Sequence, residues 1–190
     1  ELDTISNNYQ LVAGREDDFC FTHAMIREVI YGAISKPKRV ELHRRVGSSL
    51  ERRLPDDSLL ATLSWHFDQA NDKGKCIKYS LLGGSYSLRR SARREAKAFF
   101  QLVLARTEDD QSHVAERLEA LEGLGDLNIS QSTPREWYSY YEQFLELNHD
   151  KKARARVLAK AGECWDQLGL ADGKKANDLF DEAEKLAEED

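Results

Sequence analysis

The sequence predicts an all-α fold: a helical-repeat array behind a short N-terminal β-hairpin. Two observations carry most of this. The first is a phrase that recurs three times at a period of roughly 40 residues. It reads Tyr79-x2-Leu82-Gly83-x2-Tyr86 then Ala96-x3-Phe100-x2-Val103, and returns as Leu121-x2-Leu124-Gly125-x2-Asn128 then Trp137-x3-Tyr141-x2-Phe144. The third copy is Leu158-x2-Ala161-Gly162-x2-Trp165 then Ala176-x3-Phe180-x2-Ala183. Spacings of three and four put these side chains on one helix face, so each copy reads as two helices. The second observation is composition: Leu, Ala and Glu are the most frequent residues, with only three prolines in 190 residues. No strand-like segment follows the first twenty or so residues.

The front end is the exception. Tyr9-x-Leu11 and Phe19-x-Phe21 alternate as strands do, around a polar turn from Ala13 to Asp18. Thr22 then caps a helix whose buried side is expected to hold Ile26, Val29, Ile30, Ala33 and Ile34. Ser35-Lys36-Pro37 ends it. The next helix carries Val40, His43, Gly47, Leu50 and Leu54 on one face and stops at Pro55. Asp56-Asp57-Ser58 opens another, holding Leu60, Leu63, Phe67 and Ala70.

Within the repeats, Tyr79, Leu82 and Tyr86 form the first buried stripe. A glycine inside a helix costs about 1 kcal/mol relative to alanine, and close approach of a neighbouring helix explains Gly83, Gly125 and Gly162 at one place in three stripes. Asp72-Lys73-Gly74, Ser130 to Pro134 and Leu168 to Gly173 read as breaks, with Thr133 an N-cap and Pro134 a first helical residue. Residues 1–35 are expected to form the hairpin and helix, and residues 36–190 the repeats. The acidic last helix (Asp178, Asp181, Glu182, Glu184, Glu188, Glu189, Asp190) reads as a polar cap on the array.

Two resemblances follow. The repeat phrase resembles a slightly lengthened tetratricopeptide repeat, which implies a superhelix with a long concave binding surface. The run from Phe19 to Tyr31, Phe-Cys-Phe-Thr-His-Ala-Met-Ile-Arg-Glu-Val-Ile-Tyr, with Leu42-His43-Arg44-Arg45-Val46 beyond it, resembles the end of the winged-helix subdomain of STAND-class signalling ATPases. That resemblance implies the sensor and interaction region of a multidomain regulator of signal transduction or transcription, downstream of an NTPase that binds ATP and ADP. His23 matches by position the histidine of a Met-His-Asp motif that contacts the β-phosphate of ADP, although Thr22 and Ala24 depart from its two neighbours. A start at Glu1 leads us to expect a longer polypeptide.

Chemistry within the chain is not expected. The five histidines (His23, His43, His66, His113 and His149) are scattered, and no G-x4-G-K-[ST], G-x-S-x-G or H-E-x-x-H run exists. Catalytic residues, metal and bound cofactor are therefore all expected to be absent. Cys20, Cys76 and Cys164 form no C-x2-C pair and point to a reducing, cytoplasmic setting. No apolar run approaches the ~20 residues of a membrane span. A net charge of -6 argues against a general nucleic-acid binder. Two basic runs, Lys36 to Arg53 and Arg89 to Lys97, read as solvated faces or as contacts for an acidic surface.

Binding is the expected work. The resemblance places partner-facing residues on the first helix of each repeat: Glu122 and Asp126, then Arg156, Glu163 and Asp166, a mostly acidic strip suited to a basic peptide. Of the aromatic cluster Trp137, Tyr138, Tyr140 and Tyr141, Tyr138 is the member expected to be exposed. The alternatives are a stand-alone adaptor without nucleotide switching and a nucleic-acid-associated helical repeat.

Overall fold

A computed structural model describes residues 12–15, 18–21, 23–53, 56–108, 110–127, 134–167 and 173–188. Two short strands, β1 (Val12–Arg15) and β2 (Asp18–Phe21), pair antiparallel, with Val12 opposite Phe21 and Arg15 opposite Asp18. Four residues of the expected turn, Ala13, Gly14, Arg15 and Asp18, are instead ladder residues. Tyr9, Leu11 and Thr22 lie outside the described residues.

Nine α-helices follow among the described residues: α1 (Ala24–Ala33), α2 (Lys36–Glu51), α3 (Leu60–Gln69), α4 (Lys73–Arg89), α5 (Arg93–Arg106), α6 (Val114–Gly125), α7 (Pro134–Leu147), α8 (Lys151–Gln167) and α9 (Gly173–Glu188). From α2 onward each helix packs on the next in sequence, and α4 also packs on α6. This is a chain of paired helices, consistent with helical repeats.

Aspartates punctuate the pairs. Asp72 accepts from the Lys75 N–H at 3.1 Å, Asp110 from Ser112 at 2.9 Å and Asp150 from Ala153 at 2.8 Å. Each carboxylate meets N–H groups that have no partner inside their own helix. Asp56 does the same for the short 3-10 turn Asp57–Leu59 that leads into α3. The expected Asp72-Lys73-Gly74 break shrinks to a cap, since Lys73 and Gly74 are already helical. The turn itself falls on Asn71, at φ 54°, and its counterpart after α4 falls on Ser91, at φ 60°. In both turns the following N–H reaches back to the helix: Asp72 to the Phe67 carbonyl at 2.9 Å and Ala92 to Ser87 at 2.9 Å. Pro37 opens α2, where a missing N–H costs nothing, so the break after α1 is only Ile34 and Ser35.

The core runs along the array in three clusters. Leu60, Leu63, Phe67, Cys76 and Tyr79 fill the space between α3 and α4. Ile77, Leu81, Ala96, Phe100, Val103 and Leu124 join α4, α5 and α6. Leu121, Tyr141, Phe144, Val157, Leu158 and Leu179 continue through α6 to α9. Burying one such large side chain contributes about 1.5–3 kcal/mol.

Glycines set the spacing. A Cβ built on Gly84 would stand 2.5 Å from the Phe100 ring, and one on Gly162 2.8 Å from Phe180. Gly125 meets Tyr141 more closely still, and Gly83 meets Phe99. The second helix of each pair therefore seats an aromatic ring where the first has no side chain. Gly47 on α2 and Phe67 on α3 repeat the relation at 3.1 Å, which makes α2–α3 a fourth pair beyond the three the repeat phrase marked.

Two burial expectations fail. Leu82 is 47% exposed, because α4 turns the residues on either side of it, Leu81 and Gly83, to its neighbours. None of the five α1 residues expected in a core is buried: Val29 is 72% exposed, Ile26 and Ile34 are half-buried, and Ile30 and Ala33 are exposed. The apolar periodicity of α1 marks a face that calls for cover, and no described helix provides it. Leu54, in the expected stripe of α2, lies outside the described residues, as do Ser130 to Thr133 and residues 168–172.

Candidate functional site

The first helices of consecutive pairs present their outer residues side by side, and an ion-pair network joins α6 to α8. Arg156 donates from Nε and Nη2 to the two Glu122 oxygens at 3.0 and 2.8 Å. Lys160 bridges Glu122 and Asp126 at 2.8 and 2.7 Å. Tyr141 donates its hydroxyl to Asp126 at 2.8 Å. Burial pushes the Glu122 carboxyl up, but the hydrogen bonds from Arg156 and Lys160 outweigh it and hold the group below its ordinary range. Glu122, Asp126 and Arg156, singled out from sequence as partner-facing, are thus brought together. Two acids face two cations there, so this part of the strip is balanced in charge and not acidic.

Glu163 and Asp166 are exposed further along α8 and stand outside that network. Tyr138 is half-buried, not free. Its ring lies 5.4 Å from that of Trp165, and the Lys175 ammonium sits 4.2 Å over Tyr138 and 4.7 Å over Trp165. The aromatic residue thereby cements α7, α8 and α9 together.

The acidic excess sits between α4 and α6. A cleft of ≈ 320 Å³ opens there, with Ile77, Leu81 and the exposed Leu82 on one wall and Glu116 and Glu119 on the other. Burial raises the Glu119 pKa, and the neighbouring charges of Glu116 and Glu122 add to the rise. Lys78 lines the same cleft. The spacing Glu116-x2-Glu119-x2-Glu122 was readable in the sequence, but the exposure of Leu82 was not.

The second surface belongs to α1. Met25 is 76% exposed, and Val29, Ile30 and Phe21 are exposed with it. A cleft of ≈ 340 Å³ lined by Arg27, Glu28, Tyr31 and Trp65 adjoins it. The helix is tied to the array through Tyr31, whose hydroxyl lies 2.9 Å from Nε2 of the buried His43. Nδ1 of His43 lies 3.0 Å from Nδ1 of His66 on α3, and the Trp65 ring stands edge-on to both imidazoles. Arg39 stacks its guanidinium 5.0 Å over the Tyr31 ring. His23, at the N-terminal end of α1, is exposed, and its carbonyl accepts from the Ile26 and Arg27 N–H groups.

Among the described residues no three His, Cys, Asp or Glu side chains converge as a metal site. Cys76 is buried, and its thiol is pushed up to about 11 chiefly by that burial, which makes it a poor nucleophile at neutral pH. Among the described residues no helix is long and apolar enough to cross a membrane. No family model, curated protein or solved structure matches this chain.

Proposed function

We propose that this chain is the protein-interaction and sensor region of a multidomain STAND-type ATPase regulator, built as a tetratricopeptide-like superhelix that acts by binding. The observation that carries the reading is the apolar face of α1, which no described helix covers. Contiguous exposed apolar surface of this kind marks a contact with another protein surface. In this reading the face of Met25, Val29 and Ile30 receives the NTPase part of the regulator, and His23 at the head of the same helix reaches the ADP held there. The effector lies along the first helices of the pairs, in the cleft of Leu82, Glu116 and Glu119 and onward past Glu122, Asp126, Arg156, Glu163 and Asp166. The mixed apolar and acidic lining suits a peptide or protein segment with basic and apolar side chains. Effector binding shifts the regulator between closed and open states only if the two states bind it unequally.

The test is ADP retention and ATP turnover by the intact polypeptide, comparing wild type with His23→Ala and Val29→Asp. Faster ADP release by either variant is the expected result. Equal behaviour of all three, or an intact protein without bound nucleotide, replaces this reading with that of an adaptor that tethers partners.

A further inference from the structure

We propose that Tyr31, His43 and His66 form a pH-operated latch that holds α1 on the first helix pair at neutral pH and releases it in mild acid. The geometry carries the argument. Two imidazole nitrogens 3.0 Å apart, His43 Nδ1 and His66 Nδ1, have room for one hydrogen between them. If the Tyr31 hydroxyl donates to His43 Nε2, the His43 proton sits on Nδ1 and is donated to His66. If the tyrosine oxygen accepts instead, every bond in the relay reverses. Either order joins α1, α2 and α3 through a single line of hydrogen bonds. Neither order survives full protonation of both rings, which would set two N–H groups against each other and two positive charges in contact.

The surroundings offer no relief. From α1 the cluster is faced by Tyr31, with Arg27 and Glu28 on the adjoining cleft. From α2 it is faced by Arg39, and from α3 by Trp65 and His66. The formal charges of Arg27, Arg39 and Glu28 leave one positive charge in excess, and among the described residues no carboxylate hydrogen-bonds to either imidazole. Burial lowers the pKa of both histidines, and the charge of His43 lowers that of His66 further. The released state therefore binds more protons than the latched one. The latch is at full strength above the ordinary imidazole pKa of about 6.5, and the opening constant grows about tenfold per pH unit below it for each extra proton bound.

Beyond Tyr31, with its histidine and Arg39 contacts, only β2 packs on α1 among the described elements, and no α1 residue is buried. A helix this short is marginal in water by itself, so release of the latch is also loss of its helical hydrogen bonds. That makes amide exchange a direct readout. Exchange of the whole chain, corrected for intrinsic rates, is compared at about pH 7.5 and about pH 5.5, on either side of the histidine range. The α1 amides of wild type are expected to exchange at least about tenfold faster at the lower pH, while those of α4 and α5 hold. His66→Asn keeps an amide near the Nδ1 position but does not titrate there, and should lose the pH step. Unchanged α1 protection in wild type, or a full step in His66→Asn, overturns the latch. Nitrogen-15 NMR of the imidazoles gives a second reading that needs no variant. One proton shared between the two Nδ1 atoms, with both rings resisting protonation, is expected; two rings titrating independently near about 6.5 overturn the proposal.

Discussion

The ring of Phe100 occupies the space a side chain on Gly123 would need: a Cβ there would stand 2.6 Å from the ring. Phe100 meets Gly84 of its own pair at 2.5 Å in the same way, so one ring is clamped between α4 and α6. Gly123→Ala gains helix propensity of about 1 kcal/mol but crowds a buried aromatic, at a cost of about 1–3 kcal/mol. Net destabilisation is the expected outcome in urea unfolding. Gly74→Ala is the matched control, because no atom lies within 4 Å of its added Cβ. It should stabilise the protein by about 0.5–1 kcal/mol.

Ser91 closes the turn after α4 with φ at 60°, a conformation that costs an L-residue about 1–2 kcal/mol. Its side chain is exposed, so nothing opposes removing it. Ser91→Gly is expected to raise the thermal midpoint, by an amount that corresponds to about 0.5–1 kcal/mol after the extra freedom of the unfolded glycine is subtracted. Asn71→Gly should gain less, because asparagine tolerates this region better. Equal midpoints for Ser91→Gly and wild type would show that the turn carries no such strain.

Glu122 accepts hydrogen bonds from both Arg156 and Lys160 across α6 and α8, and its folded pKa lies below the ordinary one. A depressed carboxylate contributes stability that is present above its unfolded pKa and lost as pH falls through the folded value. Glu122→Gln should cost about 1–3 kcal/mol at neutral pH. The gap between variant and wild type should close as pH falls below about 4. A gap that stays constant with pH in chemical denaturation would mean that the charge of Glu122 contributes nothing.

Periodicity made the paired helices legible in the sequence, since Leu63, Phe67, Tyr79, Phe100, Tyr141 and Leu158 all turned inward as their spacing demands. The fourth pair hid in the same signal. Val46-Gly47-x2-Leu50 followed by Leu63-x3-Phe67-x2-Ala70 is the same phrase, but a longer connection with its own 3-10 turn displaces the ring from its glycine in sequence. The periodicity of α1 predicts a buried face because a pattern reports what a helix would bury, not whether a partner is at hand. The Glu122–Arg156 pair spans two helix pairs, and its formation depends on how α6 and α8 stack. Charge along a single helix does not encode that, so the sequence predicts an acidic surface where the folded one is balanced.

Because each helix from α2 onward rests on its immediate successors, the contacts among the described residues run mostly between helices adjacent in the chain. Folding such a chain closes no long loop before native contacts form, a topology associated with fast folding. Its stability is distributed as intrinsic terms for each pair and coupling terms between neighbours, so it can be lost from an end without the middle. Pulled by its two termini, the molecule should yield as a series of small steps, one helix pair to each, and not in a single rupture.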